Sequence, residues 1–440
     1  MRMTRRYTWL LYWLLAGCAG EPLSVGELRC TGERVRCVQS NALETSQDVV
    51  HTQPPTELET QFVWTAELPC AAKNCTAIRA DLVLHPDQSM TLVRTLIGGV
   101  WLGGYNARGN LVWENNTLLD AETTEYDVKH SIDAEITLEP NGRALLALLR
   151  STRGQGELTI DEIGADGTLE RILRSAGPSR MSGLALMQDD FVVLGNQWDG
   201  DESREPNPEL ARYTRTGALV WRQTSLSRWN NDSAADFDAE YRARFDLPLL
   251  VDSAGHAWLA VHELLYGRPT DFTVMQVGTD GNVRWRGAGG SGRVAARDSS
   301  RALLELDGEG RAVFGRDQNG YRLDRFSPRD EPVKHVDQQT VLRDQTEYWE
   351  PRLLGLARDS SDRLLIATQS GLRSSPRLLI ERYSDDFGQL ETFVVSEAAT
   401  LLLTGDWPDQ DFNTLDGIRV DAQGDLLFWS QTHIGRIALP

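Results

Sequence analysis

The sequence predicts an all-β chain: a seven-bladed β-propeller of four-stranded antiparallel blades, closed by a strand from near the N-terminus, with six or eight blades as alternatives. Three observations predict it. A hairpin with fixed Gly-to-Trp spacing recurs, a second hairpin precedes each copy, and the last repeat runs out one strand short. A repeat of about 50–60 residues belongs to propellers rather than to shorter solenoid repeats.

The recurring hairpin is an apolar residue, three others, Gly, three others, then Trp. It reads Tyr105…Gly109…Trp113, Tyr213…Gly217…Trp221 and Val277…Gly281…Trp285, with a weaker copy at Ile163…Gly167…Arg171. Phe326 and Tyr383 lead degenerate copies. Each is a strand, a tight turn at a residue tolerant of positive φ, and a second strand. The upstream hairpins are clearest at Gly142, Gly255, Gly310 and Gly424; versions without Gly run through Leu82–Leu92, Leu184–Val193 and Leu356–Ile366. Two linked hairpins make a four-stranded sheet with two faces to bury, and radial stacking buries both while leaving short edges. A pair of β-sandwich domains is the competing architecture, disfavoured by the regular Gly–Trp spacing.

Closure follows from the ends. The last repeat has strands near 417–421, 425–431 and 434–440, with Ile437 where Tyr105 and Tyr213 fall in theirs. Its fourth strand must come from elsewhere. Gln61–Ala66, carrying Trp64, resembles the fourth strands Asn110–Trp113 and Ala218–Trp221. The same register places Trp113, Trp221 and Trp285 as wedges between blades rather than as a carbohydrate platform.

The first residues hold Arg2, Arg5 and Arg6, then a short apolar run, then Leu15-Ala16-Gly17-Cys18. The run is shorter than the roughly 20 residues a spanning helix needs and reads as a signal peptide. Leu15–Cys18 resembles the lipobox of bacterial lipoproteins. That resemblance implies lipidation of Cys18 and cleavage before it, and Ala19 in place of Asp implies the outer membrane, with the leaflet open. The expected division is 1–17 signal peptide, 18–60 anchor, cysteine segment and linker, and 61–440 propeller.

Net charge is −19, and loss of three arginines with the signal takes it to −22. Such a surface repels phosphate backbones and excludes nucleic acid as the expected partner. Cys30, Cys37, Cys70 and Cys75 precede the repeats; an even number in an oxidising compartment points to two disulfides, with three connectivities open. Their C-x6-C and C-x4-C spacings fit zinc poorly. Glu27–Gln39 reads as a small hairpin, and 40–60, rich in Thr, Gln, Glu and Pro, as linker.

The repeats resemble β-propellers of the quinoprotein-like, beta-strand-repeat superfamily over about residues 62–440. The Ala-x-Asp-x-x-Thr-Gly-x-x-x-Trp signature of quinone-dependent members is absent, so the resemblance implies fold and no cofactor. The seven histidines form no metal-ligand pair, and His256 and His262 read as packing residues. No nucleophile elbow or phosphate loop is present. Two acidic segments carry oxygen ligands at alternate positions suited to calcium: Asp199 with Asp201, and Asp409, Asp411 with Asn413. The expected function is a non-enzymatic envelope lipoprotein whose propeller binds an envelope protein or glycan. The alternatives are a glycan-active hydrolase or lyase with acids from several blades, and an outer-membrane assembly scaffold.

Overall fold

The structure is a computed structural model. It describes residues 29–31, 36–38, 58–60 and 62–439, except 70–76, 97–98, 120–129, 153–154, 198–206, 225, 227–247, 266–267, 292–301, 318–319, 327–333, 340–347, 373–374, 385–388, 396–414 and 431. The chain divides into two compact units, Met1–Thr45 and Ser46–Pro440. In the first, β1 (Arg29–Thr31) and β2 (Arg36–Val38) pair antiparallel, with Cys30 opposite Cys37 in register. This is the hairpin expected from the Thr-Gly-Glu turn.

The second unit is the seven-bladed propeller. It opens with β3 (Leu58–Thr60) and β4 (Phe62–Glu67). Blade one is β5 (Ala77–Leu84), β6 (Met90–Leu96), β7 (Gly99–Tyr105) and β8 (Leu111–Leu119). Blade two is β9 (His130–Leu138), β10 (Ala144–Thr152), β11 (Gln155–Ile163) and β12 (Leu169–Gly177). Blade three is β13 (Arg180–Met187), β14 (Asp190–Gln197), β15 (Asn207–Tyr213) and β16 (Leu219–Gln223). Blade four is β17 (Leu249–Val251), β18 (Ala257–Leu265), β19 (Arg268–Val277) and β20 (Val283–Ser291). Blade five is β21 (Ala302–Leu306), β22 (Ala312–Asp317), β23 (Gly320–Phe326) and β24 (Lys334–Gln339). Blade six is β25 (Tyr348–Arg358), β26 (Leu364–Leu372), β27 (Ser375–Tyr383) and β28 (Gln389–Val395). Blade seven is β29 (Leu415–Val420), β30 (Leu426–Ser430) and β31 (His433–Ile437), completed by β4.

Closure runs through β31 and β4, antiparallel, with Gly435 opposite Thr65 and Arg436 opposite Trp64. The expected latch is present. The preceding segment adds something unforeseen: β3, inside the expected linker, pairs parallel with β28 as a fifth strand of blade six. The N-terminal segment thus touches two successive blades.

The first strands of consecutive blades contact one another, and β29 returns to contact β5, so these strands form the inner ring. Among the described residues, a buried apolar cluster fills each of the seven interfaces between blades. Leu82, Leu92 and Trp101 meet Leu427 and Trp429 at the closing seam. Val83 and Val93 meet Ile136 and Leu146 between blades one and two. Burial on both faces makes the second strands almost continuously apolar: Ala144–Leu149 is buried throughout.

The first hairpins turn alike. Asp252 Oδ1 accepts from the Ala254 and His256 amides, and Asp307, Asp359 and Asp421 do the same two and four residues ahead. Each is an Asp-capped turn followed by a residue with positive φ. Where the sequence lacks Gly, Gln88 (φ 68°), Gln188 (φ 59°) and Asp362 (φ 61°) take the left-handed conformation.

Candidate functional site

Strand direction alternates within each blade, so the turns between first and second strands, and between third and fourth, share one face of the ring. Those described are short and capped, such as Asn106–Asn110 and Asp252–His256. Neighbouring turns on this face are tied together. The Gly308 amide donates to Asp362 Oδ2 (3.0 Å), His85 Nδ1 lies 2.9 Å from the Gly142 carbonyl, and the Ala422 amide donates to Gln88 Oε1 (3.3 Å). The opposite face carries the second-to-third connections and all blade-to-blade connections. These include the long spans 224–248, between blades three and four, and 396–414, between blades six and seven. Long connections on a rigid ring are where binding residues concentrate.

Asp199 and Asp201 belong to the connection between β14 and β15, and Asp409, Asp411 and Asn413 to that between β28 and β29. Both connections leave and rejoin the sheets on the loop-bearing face. The five residues themselves lie outside the described residues, as do Cys18, Cys70 and Cys75. His256 lies 3.2 Å from Asp252 Oδ2 through Nδ1, an oxygen that also accepts from Trp258 Nε1 (3.1 Å) and Gln276 Nε2 (3.2 Å). It packs the turn of blade four, on the capped face.

The tryptophans wedge between blades. Trp113 covers Gly167 in the next blade, Trp221 covers Gly281, and Trp64 covers Gly109; a Cβ on any of these glycines would lie under 3 Å from the indole. The Trp221 Nε1 donates to the Thr279 carbonyl across the same seam (2.9 Å). Trp285 instead stacks obliquely on Trp258 and Phe326, with ring centroids 5.8 and 5.3 Å apart.

Charged groups line the inner ring. Arg79 of β5 pairs with Glu135 of β9, and Arg180 of β13 pairs with Asp133 of β9 at 3.1 Å. Glu305, on β21, is crowded on all sides yet keeps part of its surface open to solvent. Burial pushes its carboxyl up to about 7 against the opposing pull of Arg419 and then Arg358. Arg419 lies on β29, two blades along; a charge so far around the ring acts on Glu305 only near the axis, where first strands converge. Burial also raises the Glu209 carboxyl, partly offset by Arg222. Glu209 sits in the third strand of its blade, away from the axis, so these two carboxyls make no acid pair. Among the described residues, no group of three or more His, Cys, Asp and Glu side chains could hold a metal ion.

A pocket of about 640 Å³ opens on blade two, lined by Arg150, Thr152, Gln155, Gly156, Glu157 and Arg174. Sequence reasoning missed it, because its residues come from three strands that only sheet pairing brings together. Register sets Arg150 opposite Glu157 and Thr159 opposite Arg174.

No protein-family model matches the chain, and no curated protein sequence resembles it significantly. Solved structures resemble it in fold. Streptogramin B lyase is 10% identical, covers 86% of this chain and 98% of its own, and superposes with TM-score 0.48. The WD40 propeller domain of Doa1 is 10% identical, over 87% of this chain and 97% of its own, with TM-score 0.45. The extracellular domain of a one-component system from B. thetaiotaomicron is 11% identical over 86% of this chain and 40% of its own, with TM-score 0.44. At such identities and TM-scores these likenesses carry no functional argument; the sheet topology itself makes the chain a seven-bladed β-propeller.

Proposed function

We propose that this chain is a non-enzymatic envelope lipoprotein, anchored to the outer membrane through Cys18, whose propeller binds an envelope protein or glycan. The observation that carries the binding reading is the inequality of the two faces. Among the described residues, one carries short, capped turns, several of them hydrogen-bonded to each other; the other carries the second-to-third and the blade-to-blade connections, one of each kind holding an acidic segment. The lipobox supports the anchor, and the net charge of −19 supports a partner other than nucleic acid. Asp199 with Asp201, and Asp409 with Asp411 and Asn413, supply oxygen ligands suited to calcium.

Crosslinked pull-down of the acylated full-length chain from its own envelope tests the reading. A parallel bait has residues 227–247 replaced by a short Gly-Ser segment. The expected result is a protein or glycan recovered with the intact chain and lost with the altered one. Recovery of nothing, or of the same material with both baits, defeats the reading. Turnover of envelope glycan by the purified chain would replace it with the hydrolase or lyase alternative.

A further inference from the structure

The strands around the blade-two pocket fix its chemistry. Leu149 and Leu158 pack toward blade three, so alternation sends Arg150, Thr152 and Glu157 to the other side of the sheet, toward blade one. The connection joining β10 to β11 ends at Thr152 and Gln155, so the pocket opens at the loop-bearing face. Arg174, from β12, donates through Nη2 to Glu157 at 2.8 Å. Both members of that pair are well exposed, at 68% and 43%, so the bond between them is worth little and is readily exchanged. Arg171 is committed to Asp161. Arg150 has no hydrogen-bond or ion-pair partner among the described residues, and acts on Glu157 only at longer range. Among the described residues, the pocket therefore holds one unmatched guanidinium and a second held by a weak internal carboxylate. Both are planar forks suited to an oxyanion. Thr152 and Gln155 add a hydroxyl and an amide beside them. A cationic pocket on a chain of net charge −19 is a local departure that general solubility does not require.

We propose that this pocket binds the oxyanion of a hydroxyl-bearing ligand, a carboxylated or phosphorylated sugar, with Arg150 and Arg174 gripping the anion and Glu157 acting as the internal carboxylate it displaces. The proposal rests on the loop-bearing face being a binding surface, and it names the ligand class for one site there.

Isothermal titration of the full chain at low ionic strength tests it, with glucuronate, glucose 6-phosphate, glucose and inorganic phosphate as probes. Glucuronate or glucose 6-phosphate binds, and glucose does not. Arg150→Ala weakens binding at least about tenfold, as expected for a lost charge-assisted contact, and Arg150→Lys restores part of it. Glu157→Gln strengthens binding several-fold, because Arg174 is released; a purely structural pair predicts no gain. Arg150 is exposed, so Arg150→Ala leaves the melting temperature unchanged and the comparison is clean. Failure of both charged sugars to bind, or equal binding by Arg150→Ala, overturns the proposal. Inorganic phosphate binding as tightly as the sugars marks an adventitious ion only and also overturns it. A failed pull-down with sugar binding intact defeats only the envelope-partner reading; a partner retained while the sugars fail defeats only this one.

Discussion

Trp64, in the strand that closes the ring, lies flat over Gly109 in the turn between the third and fourth strands of blade one. A Cβ at Gly109 would sit 2.3 Å from the indole. The same relationship joins Trp113 to Gly167 and Trp221 to Gly281 inside the continuous chain. The seam therefore has the same Trp–Gly contact that other neighbouring blades have in addition to their covalent connection. Trp429 reinforces the seam by donating through Nε1 to the Ala80 carbonyl at 3.1 Å.

Losing the closing strand leaves β31, the third strand of blade seven, as an open edge. Deletion of Phe62–Glu67 is expected to abolish the single cooperative unfolding transition of the ring, because its last interface loses a strand and the Leu82–Trp429 cluster loses its cover. Trp64→Ala, which removes one partly buried ring, is expected to cost about 2 kcal/mol. Urea unfolding followed by tryptophan fluorescence checks both. An unaltered midpoint in the deletion would show that the seam is held elsewhere.

Two glycines with nearly the same backbone separate strain from packing. Gly424 (φ 87°) has nothing within 4 Å of a Cβ, whereas Gly109 (φ 78°) has Trp64 against it. Gly424→Ala should cost only left-handed strain, about 1 kcal/mol. Gly109→Ala should cost about 3 kcal/mol, since strain and displacement of the indole add. In the background of Trp64→Ala, the cost of Gly109→Ala should fall back to that of Gly424→Ala. A double-mutant cycle measures this; equal costs at the two glycines would remove Trp64 from the account.

Glu305 gives the ring a pH dependence of definite sign. Burial raises its folded-state value from 4.5 to about 7, so the folded chain binds the extra proton between those values. Its contribution to stability is complete below about pH 4.5 and is lost as pH rises through about 7. Glu305→Gln, which mimics the neutral form, should therefore raise the melting temperature at pH 8 and leave it unchanged at pH 4.5. The gain is at most about 3 kcal/mol, and solvent reaching the carboxyl lowers it. Thermal melts of both proteins across this range test the assignment, and a gain confined to low pH contradicts it.

What the sequence discloses depends on whether a feature is local. The Gly–Trp spacing is local, because one turn sets the positive φ and the next strand places the ring, so both the blades and the closing strand can be read from it. The turns at Gln88, Gln188 and Asp362 stay legible through their flanking alternation, although Gly is replaced. The strand at Leu58–Thr60 is not legible: Leu-Glu-Thr lies in a polar segment, and only the edge of β28, more than 300 residues away, makes it a strand. Glu305 owes its raised carboxyl to burial, which Arg419 and then Arg358 only partly offset, and those surroundings assemble only when the ring closes. Arg150 and Arg174 read as solvated charges until pairing sets them around one pocket.

The first unit supplies a choice that cysteine counting leaves open. Antiparallel pairing of β1 with β2 sets Cys30 directly opposite Cys37. Directly opposed residues have Cα atoms about 4.5–5.5 Å apart, inside the range a disulfide spans. Of the three connectivities, the register favours Cys30 with Cys37, which leaves Cys70 with Cys75. Closing so short a loop stabilises the hairpin by about 2–3 kcal/mol in the chain-entropy account. Peptide mapping, without reduction, of the protein refolded under oxidising conditions is expected to yield those two crosslinks. A crosslink between Cys30 or Cys37 and either of Cys70 and Cys75 would mean that the hairpin register does not direct oxidation, because the backbone already holds Cys30 and Cys37 within reach before any longer loop has to close.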